Sequence, residues 1–459
     1  MCGIVGAISE KNKDSFMLAS LLVIGLQSIQ GRGQESAGIS VSNGKRIKTY
    51  KKQGLVSEIF RQETITPLTG NIAVGQNRYS TTGGSVIENA QPVEKRGKYH
   101  VSVVHNGNID SSKLRQEMIS RRIKLSGDSD TELIASLIAH SNEKTIEQAV
   151  AETCNRICGS FSLLVLTAKK LIAVRDPKGI RPLFYGRAKT NEETIFMLAS
   201  ETCALDQMGA KNIKEVGAGT MLVFSSGKII SSKYLHGGSK VSFCVFEKIY
   251  LSRPDSILNG TPNEMFRHKL GKILFEENQI LKKKLDIIVP IPDSGIASAI
   301  GFHSASGVSY GRGIIKTPQA KRLFIDPSSS VRISGVRLKL NVLKKLINGK
   351  RVGLVDDSIV RGSTSKEIVK MVREAGAKEI RIIVASPPVK HPCYYGIDMA
   401  KEEELIASKL DLPALEKYLG VEGVHYLSLD GLHRASGNTG FCSACFDNKY
   451  PVVFDCQRI

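Results

Sequence analysis

Tryptophan is absent from this chain of 459 residues, which by itself excludes no class of protein. Other absences exclude more. No apolar run approaches the ~18 residues that a membrane span requires. The longest candidate, Leu18 to Leu26, reads as a buried helix. No secretory pattern precedes the cysteines, so a soluble cytoplasmic protein is expected. Internal repeats and low-complexity tracts are missing. Nine cysteines make an odd count in a long chain, which argues against a disulfide framework and favours metal or catalytic roles. Acidic residues are scarce: 44 against 64 basic ones, a net charge of +20. From Tyr310 to Arg351 there are 11 Lys and Arg against one acid, Asp326. That segment has almost no aromatics on which bases could stack. It fits a phosphorylated metabolite better than a nucleic acid.

At this length two or three domains are expected. The first part, 2–235, is rich in short strands parted by turns. Thr220 to Phe224 and Ile229-Ile230 flank Ser225-Ser226-Gly227-Lys228, a hairpin pattern. Leu163 to Leu166 and Leu171 to Val174 flank another turn. Helical patterns are few, at roughly 15–30, 130–141 and 144–157. Stacked antiparallel sheets with covering helices follow from this, an α+β region. The polar stretch from His236 to Lys240 is the best boundary. In 236–390 buried strands alternate with helices, the pattern of an α/β parallel sheet. Asp286 to Pro290, Val352 to Val355 and Ile380 to Ala385 are its strands, and Ser363 to Ala375 a helix. A C-terminal extension, 391–459, holds the last four cysteines.

Two places carry chemistry. The first is Cys2, in Cys2-Gly3-Ile4-Val5-Gly6. Removal of Met1 gives one residue both a thiol and a free α-amine, which titrates at about 7.7–8.0. Nucleophile and general base are then tethered. The plainer reading is a small hydrophobe opening a buried strand. The second is the run Val352 to Ser365. An apolar strand ends in Asp356 and Asp357. Ser358, a short loop and Gly362 follow, and Ser363, Thr364 and Ser365 open a helix. Backbone N–H groups and hydroxyls at a helix N-terminus make an anion site. Paired acids suit ribose hydroxyls or Mg2+. The run lacks the Lys that follows the last Gly of a Walker loop.

This second run resembles the 5-phosphoribosyl-1-pyrophosphate (PRPP) loop of type I phosphoribosyltransferases. Together with Cys2, the chain resembles the glutamine-dependent amidophosphoribosyltransferases over nearly its whole length. The resemblance runs through Arg32-Gly33-Gln34-Glu35, Arg78-Tyr79-Ser80-Thr81, His105-Asn106-Gly107-Asn108, Ser129-Asp130-Thr131-Glu132, Gly179-Ile180-Arg181-Pro182, Ala199-Ser200-Glu201, Phe246-Glu247 and Pro292-Asp293-Ser294. It implies an N-terminal-nucleophile glutaminase domain followed by a type I phosphoribosyltransferase domain, and the first step of purine synthesis. Cys2 would attack the glutamine amide, with Asn106 and Gly107 as the oxyanion hole. Arg78 would clamp the substrate carboxylate and Asp130 its ammonium. Asp356, Asp357, Ser358, Gly362, Ser363, Thr364, Ser365, Lys316 and Arg322 would bind PRPP, and Ser294, Asp356 and Asp357 the Mg2+. The released ammonia would displace pyrophosphate to give 5-phosphoribosylamine.

Cys244, Cys393, Cys442 and Cys445 match the iron–sulfur branch of that family, where four thiolates hold a [4Fe–4S] cluster. A structural Zn is the alternative for a set of four cysteines. Cys154, Cys158, Cys203 and Cys456 read as structural. By resemblance, a homotetramer inhibited by purine nucleotides is expected. The chain also departs from the family pattern. Gly31 replaces a His before Arg-Gly-Gln, Gln76-Asn77 replaces His-Val before Arg78-Tyr79, and Lys248 replaces a Tyr. The segment Lys316 to Leu323 keeps only Lys316 and Arg322 of a loop that closes over PRPP. Two other readings remain open. One is another N-terminal-cysteine amidotransferase; the other is a PRPP-sensing regulator with decayed catalysis.

Overall fold

Strand Gly3–Ser9 is buried on both faces, and this sets the plan of the N-terminal region. Ile4 and Ile8 point to one side, Val5 and Ala7 to the other, as the two-residue period of a strand requires. The computed structural model describes residues 2–11, 15–80, 83–189, 193–235, 240–317, 336–399, 401–437 and 440–454. Gly3–Ser9 is central in a seven-stranded sheet, between Thr194–Ala199 and Ile72–Arg78. Ser36–Ser42 and Ile47–Gln53 extend one edge, Phe184–Lys189 and Lys211–Glu215 the other. A second, six-stranded sheet holds Val93–Arg96, His100–Ile109, Gly159–Leu166, Leu171–Arg175, Thr220–Ser225 and Lys228–Tyr234. Every pairing in both sheets is antiparallel, including the two expected hairpins.

The sheets pack face to face on Ile4, Ile8, Val74, Val104, Leu164, Leu198 and Phe224. Gly6 permits the approach, since a Cβ there would lie 2.9 Å from Leu164 Cδ1. Helix Met17–Ser28 covers the outer face of the first sheet. Helices Asp130–Ala139 and Ile146–Arg156 cover that of the second. All three expected helices are therefore present. Helices Ser112–Ser120 and Thr202–Gln207 were not foreseen: both are short, and the first is mostly polar.

The second region is built on a five-stranded sheet in the order Ser309–Tyr310, Ile287–Pro290, Arg351–Asp356, Glu379–Val384, Gly423–Tyr426. Every pairing is parallel. Val352, Leu354, Ile380 and Ile382 face helix Ser363–Glu374. Val355 and Ile383 face the opposite side, toward helices Asn263–Glu277 and Ile296–Ser306. The expected extension past residue 390 supplies the edge strand Gly423–Tyr426. The boundary stretch 236–239 lies outside the described residues.

Candidate active site

Cys2 lies one residue ahead of strand Gly3–Ser9, whose first ladder partner is Asn77. Its Sγ is partly exposed and lies 3.7 Å from the Tyr79 carbonyl. Arg78, the last residue of strand Ile72–Arg78, is brought alongside by the same pairing. Its guanidinium is buried, donates to the Gly84 and Gly83 carbonyls at 3.1 and 3.4 Å, and lies 3.9 Å from Glu35.

Asn106 and Gly107 sit in strand His100–Ile109, opposite Ser162 and Phe161. Asn106 is fully buried, yet neither Nδ2 nor Oδ1 has a hydrogen-bond partner among the described residues. Leaving a buried amide unpaired costs free energy on the order of 1–3 kcal/mol. The natural use of such a group is to bind something that arrives later. Gly107 is required sterically, because a Cβ would stand 2.0 Å from the Ser160 carbonyl oxygen. Asp130 opens helix Asp130–Ala139, where the helix dipole favours negative charge. It is 6% exposed; Oδ1 accepts from the Thr131 hydroxyl at 3.3 Å, and Oδ2 faces His105 Nδ1 at 3.3 Å. Burial alone would raise its pKa, but the facing imidazole and the Thr131 hydrogen bonds outweigh it and hold the carboxyl below its usual range.

The second constellation forms where strand Arg351–Asp356 ends and helix Ser363–Glu374 begins. Asp356 and Asp357 are adjacent, and Asp357 Oδ1 accepts from the Ser358 hydroxyl at 2.5 Å. Burial and the neighbouring carboxylate push Asp356 well above the carboxylate range. Burial raises Asp357 too, against hydrogen bonds from Ser294 and Ser358. Two acids crowded in this way fit a site for a hard cation. Gly362 precedes the helix at φ 75°, a conformation glycine adopts freely. Ser363 and Thr364 are exposed at the first turn and Ser365 is buried. Lys316 ends strand Ile314–Lys316 and forms an ion pair with Asp293. Arg322 lies outside the described residues.

The four cysteines come from three distant segments. Phe243–Cys244 and Phe441–Cys442 pair as short parallel strands, with Cys244 opposite Cys442. Cys445 follows in helix Ala444–Asp447. Cys393 Sγ accepts the Tyr395 N–H at 3.4 Å. Cys244, Cys442 and Cys445 are buried, and burial raises all three thiols, Cys244 to about 11. Among the described residues, no three His, Cys, Asp or Glu gather closely enough to hold one metal ion.

Some functional neighbours carried no legible role in the sequence. The turn 394–398 closes on the Asn106 strand from the far end of the chain. Asn108 Nδ2 donates to the Tyr394 carbonyl at 2.9 Å and Ser160 Oγ to that of Tyr395 at 2.9 Å. Gly396 lies against Gly107, where a Cβ would come within 2.7 Å of its oxygen. Arg32, Glu201, Glu247 and Arg181 stood out only as parts of motifs; in the fold they form one buried ion network.

Residues 76–207 match the model of a glutamine amidotransferase domain. The chain is 40% identical to an amidophosphoribosyltransferase of Methanocaldococcus jannaschii, covering 100% of this chain and 99% of that protein. It is 38% identical to the Bacillus subtilis amidophosphoribosyltransferase, over 93% of this chain and 90% of the relative. Among solved structures it is similar to the B. subtilis glutamine PRPP amidotransferase complexed with ADP and GMP. That likeness has a TM-score of 0.89 at 36% identity and covers 98% of both chains. Full-length identity of this order and an antiparallel glutaminase-type fold joined to a parallel sheet agree with one another: the chain belongs to the amidophosphoribosyltransferase family.

Proposed function

We propose that this protein is a glutamine-dependent amidophosphoribosyltransferase, catalysing the first committed step of purine synthesis. The unpartnered, fully buried Asn106 amide is the observation that carries the glutaminase half. In this reading Cys2 Sγ attacks the glutamine amide carbon, and its α-amine takes the thiol proton. Asn106 Nδ2 and the Gly107 N–H receive the developing oxyanion. Arg78 binds the substrate carboxylate and Asp130 its ammonium. Breakdown of the tetrahedral adduct releases ammonia, and water then frees glutamate from Cys2.

Ammonia displaces pyrophosphate from the anomeric carbon of PRPP at the second constellation. The first-turn N–H groups and the hydroxyls of Ser363, Thr364 and Ser365 bind the 5′-phosphate. Asp356 and Asp357 serve the ribose hydroxyls and, with Ser294, the magnesium. Ser358 and Gly362 shape the loop, and Lys316 and Arg322 meet the pyrophosphate. Bound Mg2+ would neutralise charge on the leaving group.

Cys244, Cys393, Cys442 and Cys445 would hold a [4Fe–4S] cluster, and the protein would then be a member of the iron–sulfur branch. Cys244 and Cys442 lie opposite each other on paired strands and Cys445 follows in the next helix, which supports one shared ligand set. Iron and sulfide at about four each per chain would bear out the cluster. Zinc on the same thiols would replace it. The ADP and GMP in the B. subtilis complex support purine nucleotides as feedback inhibitors. No helix among the described residues is long and apolar enough to cross a membrane. We place the enzyme in the cytoplasm, as a homotetramer, with no nucleic-acid partner.

The deciding assay is PRPP-dependent formation of glutamate and pyrophosphate from glutamine, using cluster-loaded protein. Cys2→Ala is expected to abolish glutamine use while high ammonia still supports turnover. Equal loss of both activities would refute this division of labour.

A further inference from the structure

We infer that Arg181, a residue of the first domain, supplies the positive charge that the four-thiol set of the second region faces, and that it thereby tunes the reduction potential of a cluster held there. The inference rests on the proposed reading of Cys244, Cys393, Cys442 and Cys445 as one ligand set. Their placement suits a cluster. Cys445 lies within electrostatic reach of Cys244, Cys393 and Cys442 together. Yet among the described residues no three such groups gather closely enough for one ion. A single zinc draws its thiolates to about 2.3 Å from a common centre, whereas a cluster of four irons spreads them apart.

Two of the thiol-bearing segments are tied to residues 180 and 181. The Ile180 carbonyl accepts the Cys244 N–H at 3.1 Å. Arg181 Nε donates to the Tyr395 carbonyl at 2.7 Å, and the Tyr395 N–H donates to Cys393 Sγ at 3.4 Å. Tyr395 thus joins the guanidinium to the Cys393 sulfur. The backbone behind Arg181 is fixed as well: its carbonyl accepts from Arg175 Nε at 2.8 Å and from Ser162 Oγ at 3.2 Å. The Arg181 side chain is fully buried. Cys244, Glu247 and Cys393, in that order, are the charged groups that act on it most strongly. Cys442 also feels its field.

A cluster on four thiolates is anionic and gains one more negative charge on reduction. In a buried site that charge is poorly screened. A fixed guanidinium therefore stabilises the reduced form more than the oxidised one. Glu247 moderates this, since it accepts from Arg181 Nη1 at 3.1 Å. Arg32 and Glu201 complete a network of two arginines and two glutamates, which is neutral as a whole. Its far end reaches Cys2, whose carbonyl accepts from Arg32 Nε at 3.0 Å. Its near end presents Arg181 to the thiols. At Cys244 the pull of Arg181 outweighs the push of Glu247.

The test uses full-length protein loaded anaerobically with iron and sulfide. Mediated titration, read by electron paramagnetic resonance of the reduced cluster, gives the midpoint potential. Glu247→Gln leaves the Arg181 charge unopposed and should shift the midpoint to more positive values. The expected size is about a tenfold change in the reduced-to-oxidised ratio at fixed potential, or about 59 mV for one electron. Arg181→Met combined with Glu247→Gln keeps the network neutral but removes the cation, and its midpoint should fall below that of wild type. Arg181→Lys keeps the charge and should stay within about twofold of the wild-type ratio. Equal midpoints in iron-loaded variants would overturn the inference alone. So would loss of iron that follows the melting temperature in all three variants, which marks a merely structural role. Zinc, or no metal, on the wild-type thiols would overturn the cluster reading and this inference together.

Discussion

At Asn106 two polar atoms are buried with no partner among the described residues, and at Lys248 a cation is buried against a carbonyl. They illustrate two uses of the same kind of cost. In the proposed function the Asn106 amide receives a transient anion. Asn106→Ala should lower glutamine-dependent kcat by about 10²–10³-fold, the usual worth of an oxyanion-hole donor. Ammonia-dependent turnover should hold, and steady-state kinetics with each nitrogen source will read both. Lys248 stands where the family usually has Tyr. It is 3% exposed, its Nζ donates to the Leu258 carbonyl at 3.0 Å and lies 4.7 Å from the Phe266 ring centre. Burial, against the pull of Glu215, lowers its pKa to about 8 from 10.5. A folded-state pKa below the unfolded one means the unfolded chain binds more protons between pH 8 and 10.5. Stability should therefore rise through that window, by on the order of 3 kcal/mol for this group. Denaturant unfolding of wild type against Lys248→Met isolates the effect, and the variant should show a flatter rise. Gly31, another departure, needs no side chain: nothing lies within 4 Å of a Cβ built there.

Single elements present the two sites in different ways. The proposed glutaminase centre draws on two strands, the residue ahead of a third and one helix start, and the proposed PRPP loop on one strand–helix junction. A local junction is legible from its own residues. The apolar run Val352 to Val355, two acids, Gly362 and three hydroxyls lie consecutively, and the fold keeps them so. Gly362 has φ 75°, and a Cβ there would lie 2.6 Å from Ile406 Cδ1. A non-glycine residue in that conformation costs about 1–2 kcal/mol. Gly362→Ala should raise the KM for PRPP and lower glutamine- and ammonia-dependent turnover together, the opposite pattern to Asn106→Ala. The helices at 112–120 and 202–207 were not legible, because they are short and their periodicity is weak. The turn 394–398 was hidden for another reason. Its partners Asn108 and Ser160 are 286 and 235 residues away, and no local pattern announces such a contact.

For the molecule as a whole, positive charge and cysteine distribution are the large-scale features. Three of the eleven basic residues between 310 and 351 are answered within the fold. Lys316 pairs with Asp293, Arg337 with Glu367 and Glu374, and Arg351 with Asp286. The thiol set ties the second region's start to its end, through the pairing of Phe243–Cys244 with Phe441–Cys442. A cluster there would act as a staple between segments about 200 residues apart, and closing a loop of that length constrains the unfolded chain. Cys442→Ser should therefore lose bound iron and sulfide, lower the melting temperature and expose the chain near 391–399 and 440–454 to protease. Iron and sulfide assay, calorimetry and mapped limited proteolysis check each part. Retained iron with unchanged cleavage would discard the staple.

The residue types and their order determined the chemistry on offer: a thiol at position 2, paired acids before a hydroxyl-rich helix start, and a set of four thiols at spacings that match a cluster-binding pattern. They also determined the two sheet types, since alternation and continuous apolar runs are local properties of a chain. Only the tertiary structure decided which distant groups meet. The buried, unpaired state of Asn106, the turn from 394 packed on Gly107, and the four-charge network behind Cys2 depend on three-dimensional closure across the domains. Burial sets the energy of each of those groups, and burial is a property of the packed molecule rather than of any stretch of the chain.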